Sequence, residues 1–300
     1  GSITKTFTAT VVMQLVEEGT LSLDATLDQY LPDTISSKIQ NSDQITLQQL
    51  LSHSSGINSA IMDEFDQDML NNPALAFEQW TPEQMLSRYT YDRESSFSPG
   101  TDIKYNNANY LLLELVVESA TNSTLAYEVR ERILEPLGLE NTFFAEEVTP
   151  NDYQPSYIDI DNNGILDFNA GAVDLARFGG AGAMISNAED LARFTKALFN
   201  GELVNPETVN EMITGGVSIP PEKPGDPEVG LGLGFAYRDV PGQGKELIMN
   251  GDDYGWSVRI RYDQNTGTVA VAMTNGSKID DSQDPTTQAA EEILKTVLHD

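Results

Sequence analysis

The chain has 300 residues, with 17 Lys and Arg against 47 Asp and Glu and a formal net charge of -30. That charge repels phosphate backbones and anionic membrane surfaces, which excludes nucleic acid as a partner, and no apolar run approaches the ~20 residues of a membrane span. A hydrophobic share of 39% makes it a globular chain, long enough for one large domain or two intertwined ones, while the lack of cysteine and the presence of only two histidines, His53 and His299, argue against disulfides, thiolate nucleophiles and multi-histidine metal centres.

In chain order, residues 2–18 read as an amphipathic helix, with Ile3, Phe7, Val11, Val12, Leu15 and Val16 at helical spacing and Gly19 as its stop. Ser2 and Lys5 then share one face of its first turn. Thr46 caps a helix from Leu47 to Ser52 that runs into His53-Ser54-Ser55-Gly56-Ile57. Residues 58–72 read as a surface loop or short helix. Thr81-Pro82-Glu83 opens a helix with cap, proline and acidic first turn. After the turn at Ser98-Pro99-Gly100 comes Tyr105-Asn106-Asn107 at the mouth of an apolar helix, Leu111 to Ala120. Asn122-Ser123-Thr124 opens another helix that ends at Pro136 and Gly138. This triplet also matches a glycosylation acceptor, but a helix cap is the simpler reading.

Gly179 to Met184 is a small-residue stretch where backbones can approach closely. Ser186 or Asn187 caps a helix from Ala188 to Phe199, and Pro206 to Ile213 is a shorter one. The Pro- and Gly-rich segment 215–230 reads as a loop. Beyond it the apolar period switches to two. Strands are expected over 231–237, 246–250, 257–262 and 269–274, the last two joined by a hairpin turn at 263–267. A final helix is expected over 286–298.

Three groups of residues could carry chemistry. A lysine beside a serine can take the hydroxyl proton once burial lowers its pKa, and a helix N-terminus offers N–H groups to developing negative charge. Ser-x-x-Lys also arises by chance in many chains. Tyr105 near a lysine can pass a proton, and Asn107 can donate to a substrate carbonyl while accepting from the lysine. Alone, that pair equally fits a turn tyrosine packed on the surface. Asp159-Ile160-Asp161-Asn162-Asn163-Gly164 and Asp167 match the start of a calcium loop, but Ala170 stands where a bidentate glutamate is needed, so no metal is expected.

Together these motifs are more specific than any one of them. Gly1-Ser2-Ile3-Thr4-Lys5 is followed by Leu51-Ser52-His53-Ser54-Ser55-Gly56, Tyr105-Asn106-Asn107, Glu135-Pro136-Leu137-Gly138-Leu139, Gly180 to Met184, and Gly230-Leu231-Gly232-Leu233-Gly234. In this order, over nearly the whole chain, they resemble the serine β-lactamase-like superfamily. The branch is the one with class C β-lactamases, D-alanyl-D-alanine carboxypeptidases and family VIII esterases. The resemblance implies an α/β (α+β) fold: an antiparallel sheet flanked by helices (residues 1–25 and 230–300) with a mainly helical insert (26–229), together one catalytic unit.

It further implies a serine hydrolase working through an acyl-enzyme on an amide, peptide or ester, or else an esterase or a catalytically impaired binding homologue. Ser2 would be the nucleophile, Lys5 its activator and Tyr105 the partner base and proton donor. Asn107 would hold the substrate amide. No cofactor is implied, the partner is a small-molecule or peptide substrate, and the setting is periplasmic or secreted. His53 would be structural. On the strand lining the site, such proteins place His-x-Gly or Lys-Thr-Gly. Here Met249-Asn250-Gly251 stands there, followed by Asp252 and Asp253, so Asn250, Gly251 and the Asp252 backbone are the substrate-binding candidates and recognition of a substrate carboxylate is not expected. Members also carry several tens of residues before the nucleophile, so a piece of a longer protein is expected.

Overall fold

Thr4, Thr6, Thr8 and Thr10 are spaced so that their hydroxyls leave the first helix on several sides, and all four are buried. A buried hydroxyl must find a partner. Thr6 donates to the Gly234 carbonyl at 2.8 Å and Thr8 to the Gly180 carbonyl at 2.8 Å. Thr10 donates back to Thr6 at 2.7 Å. From Thr4 to Met13 this helix, α1 (Thr4–Glu17), is therefore enclosed on all sides, not amphipathic as its apolar spacing led us to expect. Gly19 ends it with φ +74°, and the Thr20 N–H reaches back to the Leu15 carbonyl at 2.9 Å, a closure open to a residue without Cβ.

The computed structural model describes residues 1–149, 152–159, 168–169, 174–221, 223, 226–242, 244–278, 288–290, 292–293 and 295–296. After α1 come α2 (Asp33–Ser36), α3 (Leu47–Leu51), α4 (Ile61–Asn71), α5 (Pro82–Tyr89) and α6 (Asn107–Thr121). Capping boxes at Thr46 and Thr81 start α3 and α5, as their sequences indicate. Residues 58–72, left open as loop or short helix, contain α4. Asn106 caps α6 through the Ala108 N–H at 2.8 Å, so this helix begins four residues before the expected Leu111. The Asn106 side chain supplies the start signal that the apolar run alone does not show. Next, α7 (Leu125–Val129), capped by Thr124, passes through a π-helical turn at Arg130–Leu134 into α8 (Glu135–Leu137). Short strands β1 (Phe143–Phe144), β2 (Tyr157–Asp159) and β3 (Phe168–Asn169) follow. Then come the tight turn α9 (Gly179–Gly182), β4 (Met184–Ile185), α10 (Ala188–Phe199) and α11 (Pro206–Thr214). Asn187, not Ser186, caps α10.

The main sheet has six antiparallel strands: β5 (Val217–Ile219), β6 (Glu228–Leu231), β7 (Ala236–Val240), β8 (Gly244–Asp253), β9 (Trp256–Asp263) and β10 (Thr268–Thr274), in the order β10-β9-β8-β7-β6-β5. The segment 215–230 is thus not a loop throughout. It holds β5 and most of β6, with Ile219 and Val229 paired and exposed at the sheet edge. Both strands are too short to show a period-two pattern. Nor is 231–237 one strand: the chain leaves the sheet between β6 and β7, where Gly234 takes φ +105° and a side chain would collide with Ala9 of α1. The expected turn at 263–267 does join β9 and β10, and Tyr254-Gly255, both at positive φ, join β8 to β9. A strand β11 (Gly276–Lys278) pairs with β2, which pairs with β3. Asp161 to Asp167 of the calcium-like segment and His299 lie outside the described residues, as does part of the last expected helix.

Phe7 of α1 meets Phe194 of α10, a helix that packs on β9 and β10. Phe7 and Phe194 stack there at 3.7 Å between centroids, both fully buried. Phe7→Ala is expected to lower the unfolding free energy by about 3–5 kcal/mol in denaturant titration, because the helices around α1 cannot collapse into the space.

Candidate active site

Ser2 sits in the turn just ahead of α1, not inside the helix. Its carbonyl accepts from the Lys5 N–H at 3.1 Å. The turn keeps the two side chains together all the same: Lys5 Nζ lies 3.1 Å from Ser2 Oγ. Lys5 is 3% exposed. Its Nζ also donates to Asn107 Oδ1 at 2.8 Å and to the Ala181 carbonyl at 2.7 Å. Burial lowers its pKa, and the Tyr105 hydroxyl acts in the opposite direction. In its neutral form, with two hydrogens held by Asn107 and Ala181, the amine would turn its lone pair toward Ser2 Oγ. That is the geometry needed to accept the serine proton.

Tyr105 and Asn107 come from the extended entry and first residue of α6. Tyr105 Oη donates to Ser2 Oγ at 2.7 Å, and its ring lies 5.0 Å from Lys5 Nζ. Half of Tyr105 is open to solvent, whereas Asn107 is buried. His53 supports this entry from beneath. Its backbone takes φ +58°, and its carbonyl accepts from the Lys104 N–H at 3.0 Å. Its Nδ1 accepts from the Asn106 N–H at 3.2 Å and faces Asn109 Nδ2 at 3.1 Å. The ring lies 4.4 Å from that of Tyr105. Burial, with help from the Lys5 charge, pushes its pKa down to about 3. It is a neutral ring that orders the tyrosine segment.

The third wall is β8. A Cβ on Gly251 would stand 3.0 Å from Ile3 Cγ1 and 3.2 Å from the Ser2 nitrogen, and one on Gly1 would stand 2.8 Å from the Asp252 nitrogen. The backbones of β8 and of the Ser2 turn therefore touch, as only glycine permits. Met249 is 3% exposed. Asn250 accepts from Arg261 at 2.8 Å, and Asp252 pairs with Arg259 at 2.9 Å. Asp253 pairs with the fully buried Arg177. Tyr254 Oη donates to Asp66 of α4 at 2.7 Å, closing one end of the cleft.

A cleft of about 680 Å³ runs between these walls, with all seven of the sequence-predicted residues except Gly251 at its surface. Gly251 lies beneath it. Its lining includes the apolar Leu231, Phe235, Ile248 and Met249 and the carboxyl residues Asp66, Asp252 and Asp253. Lys5 is the one lysine or arginine among the described residues that line it. No group of three or more His, Cys, Asp or Glu that could hold a metal is present among the described residues. Sequence reasoning missed the Ala181 carbonyl as a partner of Lys5, although the run of small residues at 179–184 marked a close approach. It also missed Arg177, for which no local pattern gives a signal.

A sheet with helices around it and a Ser-x-x-Lys turn facing a Tyr-x-Asn loop define a protein of the β-lactamase/transpeptidase-like class. The Beta-lactamase family model matches residues 1–295, and the chain belongs to that family. Among solved structures it is similar to a D-stereospecific amidohydrolase from Streptomyces sp., at 32% identity and TM-score 0.83, covering 97% of this chain and 84% of that one. It shares its fold with a D-amino acid amidase from Ochrobactrum anthropi SV3, at 22% identity and TM-score 0.79, covering 100% and 83% of the two chains. Among curated proteins, the putative penicillin-binding protein PbpX of Bacillus subtilis is 26% identical over 218 residues, which span 73% of this chain and 50% of that protein. Protein flp of Staphylococcus aureus is 29% identical over 145 residues, 48% of this chain and 27% of that protein. The chain thus matches half or less of the length of these curated relatives.

The neutral form of His53 is favoured in the fold, so its stabilising effect is full above the unfolded pKa near 6.5 and is lost as pH falls toward about 3. One of the two histidine C–H signals should therefore stay unshifted by NMR between pH 5 and 8, and His53→Gln should remove that signal and flatten the loss of stability below pH 6.5.

Proposed function

We propose that this chain is a serine hydrolase that cleaves an amide through an acyl-enzyme at Ser2. The observation that carries this reading is the buried Lys5 amine, 3.1 Å from Ser2 Oγ with its other donors engaged. In this scheme Lys5 takes the Ser2 proton as Oγ bonds to the substrate carbonyl carbon. The backbone N–H groups of Ser2 and Asp252 receive the oxyanion. The proton then passes, by way of Tyr105, to the leaving nitrogen as the C–N bond breaks. Water adds to the acyl-serine, giving its proton to Tyr105 and Lys5, and the acid leaves as Ser2 regains its hydrogen. Asn107 holds the substrate amide and keeps Lys5 in place.

The substrate reading follows from charge. Apart from Lys5, the described lining has no lysine or arginine, and Met249 offers no polar group, so a free substrate carboxylate meets no other cationic side chain there. An amide of an apolar amino acid, carrying a free amine and no carboxylate, suits a lining of apolar residues and carboxyl groups. The likeness to an amidohydrolase titled D-stereospecific supports the D-configuration. Small esters, which also lack the carboxylate, are the second reading that Met249 favours. We further propose that residues 1–25 and 230–300 act with the intervening insert as one catalytic unit, and that the chain works outside the cytoplasm.

A fluorophosphonate probe should label wild-type protein and not Ser2→Ala, whose amide turnover should drop by on the order of 10⁴-fold or more. Tyr105→Phe should lose about 10²–10⁴-fold in kcat. D-Phenylalanine amide should be hydrolysed well ahead of its L-form and of peptides recognised by a free C-terminal carboxylate, with slow acylation by labelled penicillin. Full activity in Ser2→Ala would sink the mechanism, and penicillin acylation outpacing amide turnover would sink the substrate assignment.

A further inference from the structure

Glu114 is a buried carboxyl with no part in the scheme above. It lies two turns along α6 from Asn107, on the same face of the helix. Its Oε2 accepts from the Gly180 N–H at 2.7 Å, and a side chain at Gly179, which takes φ +38°, would collide with it. The Gly180 carbonyl is held from the other side by Thr8 Oγ of α1, at 2.8 Å. One residue on, the Ala181 carbonyl receives Lys5 Nζ at 2.7 Å. A Cβ on Gly180 would lie 2.7 Å from Leu125 Cδ2 and 3.1 Å from Thr8 Oγ, so the turn is confined on every side but is pinned by these two polar bonds.

We infer that Glu114 is a positioning residue for Lys5: by holding the Gly180 N–H it fixes the turn whose Ala181 carbonyl orients the amine toward Ser2. The inference rests on the reading of Ser2 and Lys5 as nucleophile and base. One rigid helix then sets two of the three oxygens around Nζ, Asn107 directly and Ala181 through Glu114. The remaining oxygen is Ser2 Oγ itself.

The same carboxyl is placed to make the site sensitive to pH. Among the described residues the charged groups facing it are both anionic: Glu118 on its own helix and Glu146 from the segment after β1. From α1 it meets the Thr8 side of the turn, from α9 backbone, and from α7 the apolar Leu125. Burial, followed by these two like charges, pushes its pKa up to about 8, against the pull of the Gly180 N–H. At neutral pH it is a carboxylic acid that fits the turn without charge. Ionisation puts an anion there with no cation facing it among the described residues, and the turn must admit water. By linkage, an acid whose folded pKa lies above its unfolded value stabilises the fold fully below that unfolded value, near 4.5, and loses this effect as pH rises through about 8.

The test compares wild type, Glu114→Gln and Glu114→Ala for Ser2 labelling by a fluorophosphonate and for hydrolysis of D-phenylalanine amide, each corrected for the folded fraction by circular dichroism. Glu114→Ala should lose roughly tenfold in labelling rate and kcat at pH 7 with KM little changed, as expected when orientation and not binding is disturbed. Glu114→Gln retains an acceptor and should recover most of that rate. It should also lack the fall in activity that wild type shows above about pH 8, and its melting temperature should gain on that of wild type between pH 4.5 and 8. If Glu114→Ala is too unstable to assay, Thr8→Val, which frees the other side of Gly180, should give the same fall in kcat. A Glu114→Ala protein that melts lower but keeps the wild-type rate and pH profile per folded molecule overturns the inference alone, as does a Thr8→Val protein with unchanged kcat. Wild-type labelling that persists in Ser2→Ala overturns the reading of the site and the inference with it.

Discussion

An amine kept almost wholly out of water is the constraint on which the rest of this structure depends. Burying an ammonium is costly unless each N–H meets an oxygen, and the same burial favours the neutral amine, the form that can accept a proton. Lys5 meets three oxygens, from the Ser2 turn, α6 and the 179–182 turn. These come from parts of the chain more than seventy residues apart. The packing of α1 among them follows from this need. Its threonines fasten it to Gly180 on one side and Gly234 on the other, so the helix carrying Lys5 cannot slide relative to the oxygens that hold it.

The sheet contributes position more than functional groups. Gly251 lets β8 lie directly against the Ser2 turn, which is what a backbone oxyanion site requires. Beside it, the polar residue that the superfamily resemblance leads one to expect is replaced by buried Met249. The carboxylates that follow are largely satisfied by Arg177 and Arg259. The cleft therefore brings Ser2 and Lys5 together while its described lining holds no other lysine or arginine. On the proposed reading, that difference between the reacting groups and the rest of the lining favours amine-bearing amides over penicillin-like substrates.

Helices with their own start signals were legible in the sequence. Thr46, Thr81, Thr124 and Asn187 cap helices because their side chains bond to N–H groups two or three residues away, and so did the Gly19 closure of α1. The hairpin at 263–267 was legible for the same reason. Short edge strands such as β5 were not, since three residues cannot establish a period and their pairing depends on a distant neighbour. The burial of α1 was misread because apolar spacing reports one face, whereas its threonines are buried by partners that lie far along the chain.

The candidate site divides along the same line. Local spacing and the order of motifs determined Ser2, Lys5, Tyr105 and Asn107 as residues to examine, because helix and turn geometry fix which side chains lie together within a few residues. Tertiary structure alone decided that Lys5 is buried, that Ala181 and Glu114 stand behind it, that His53 is a neutral support, and that Arg177 neutralises Asp253. Each of these depends on groups brought together from distant segments, and desolvation and charge pairing are set by that enclosure and not by local sequence.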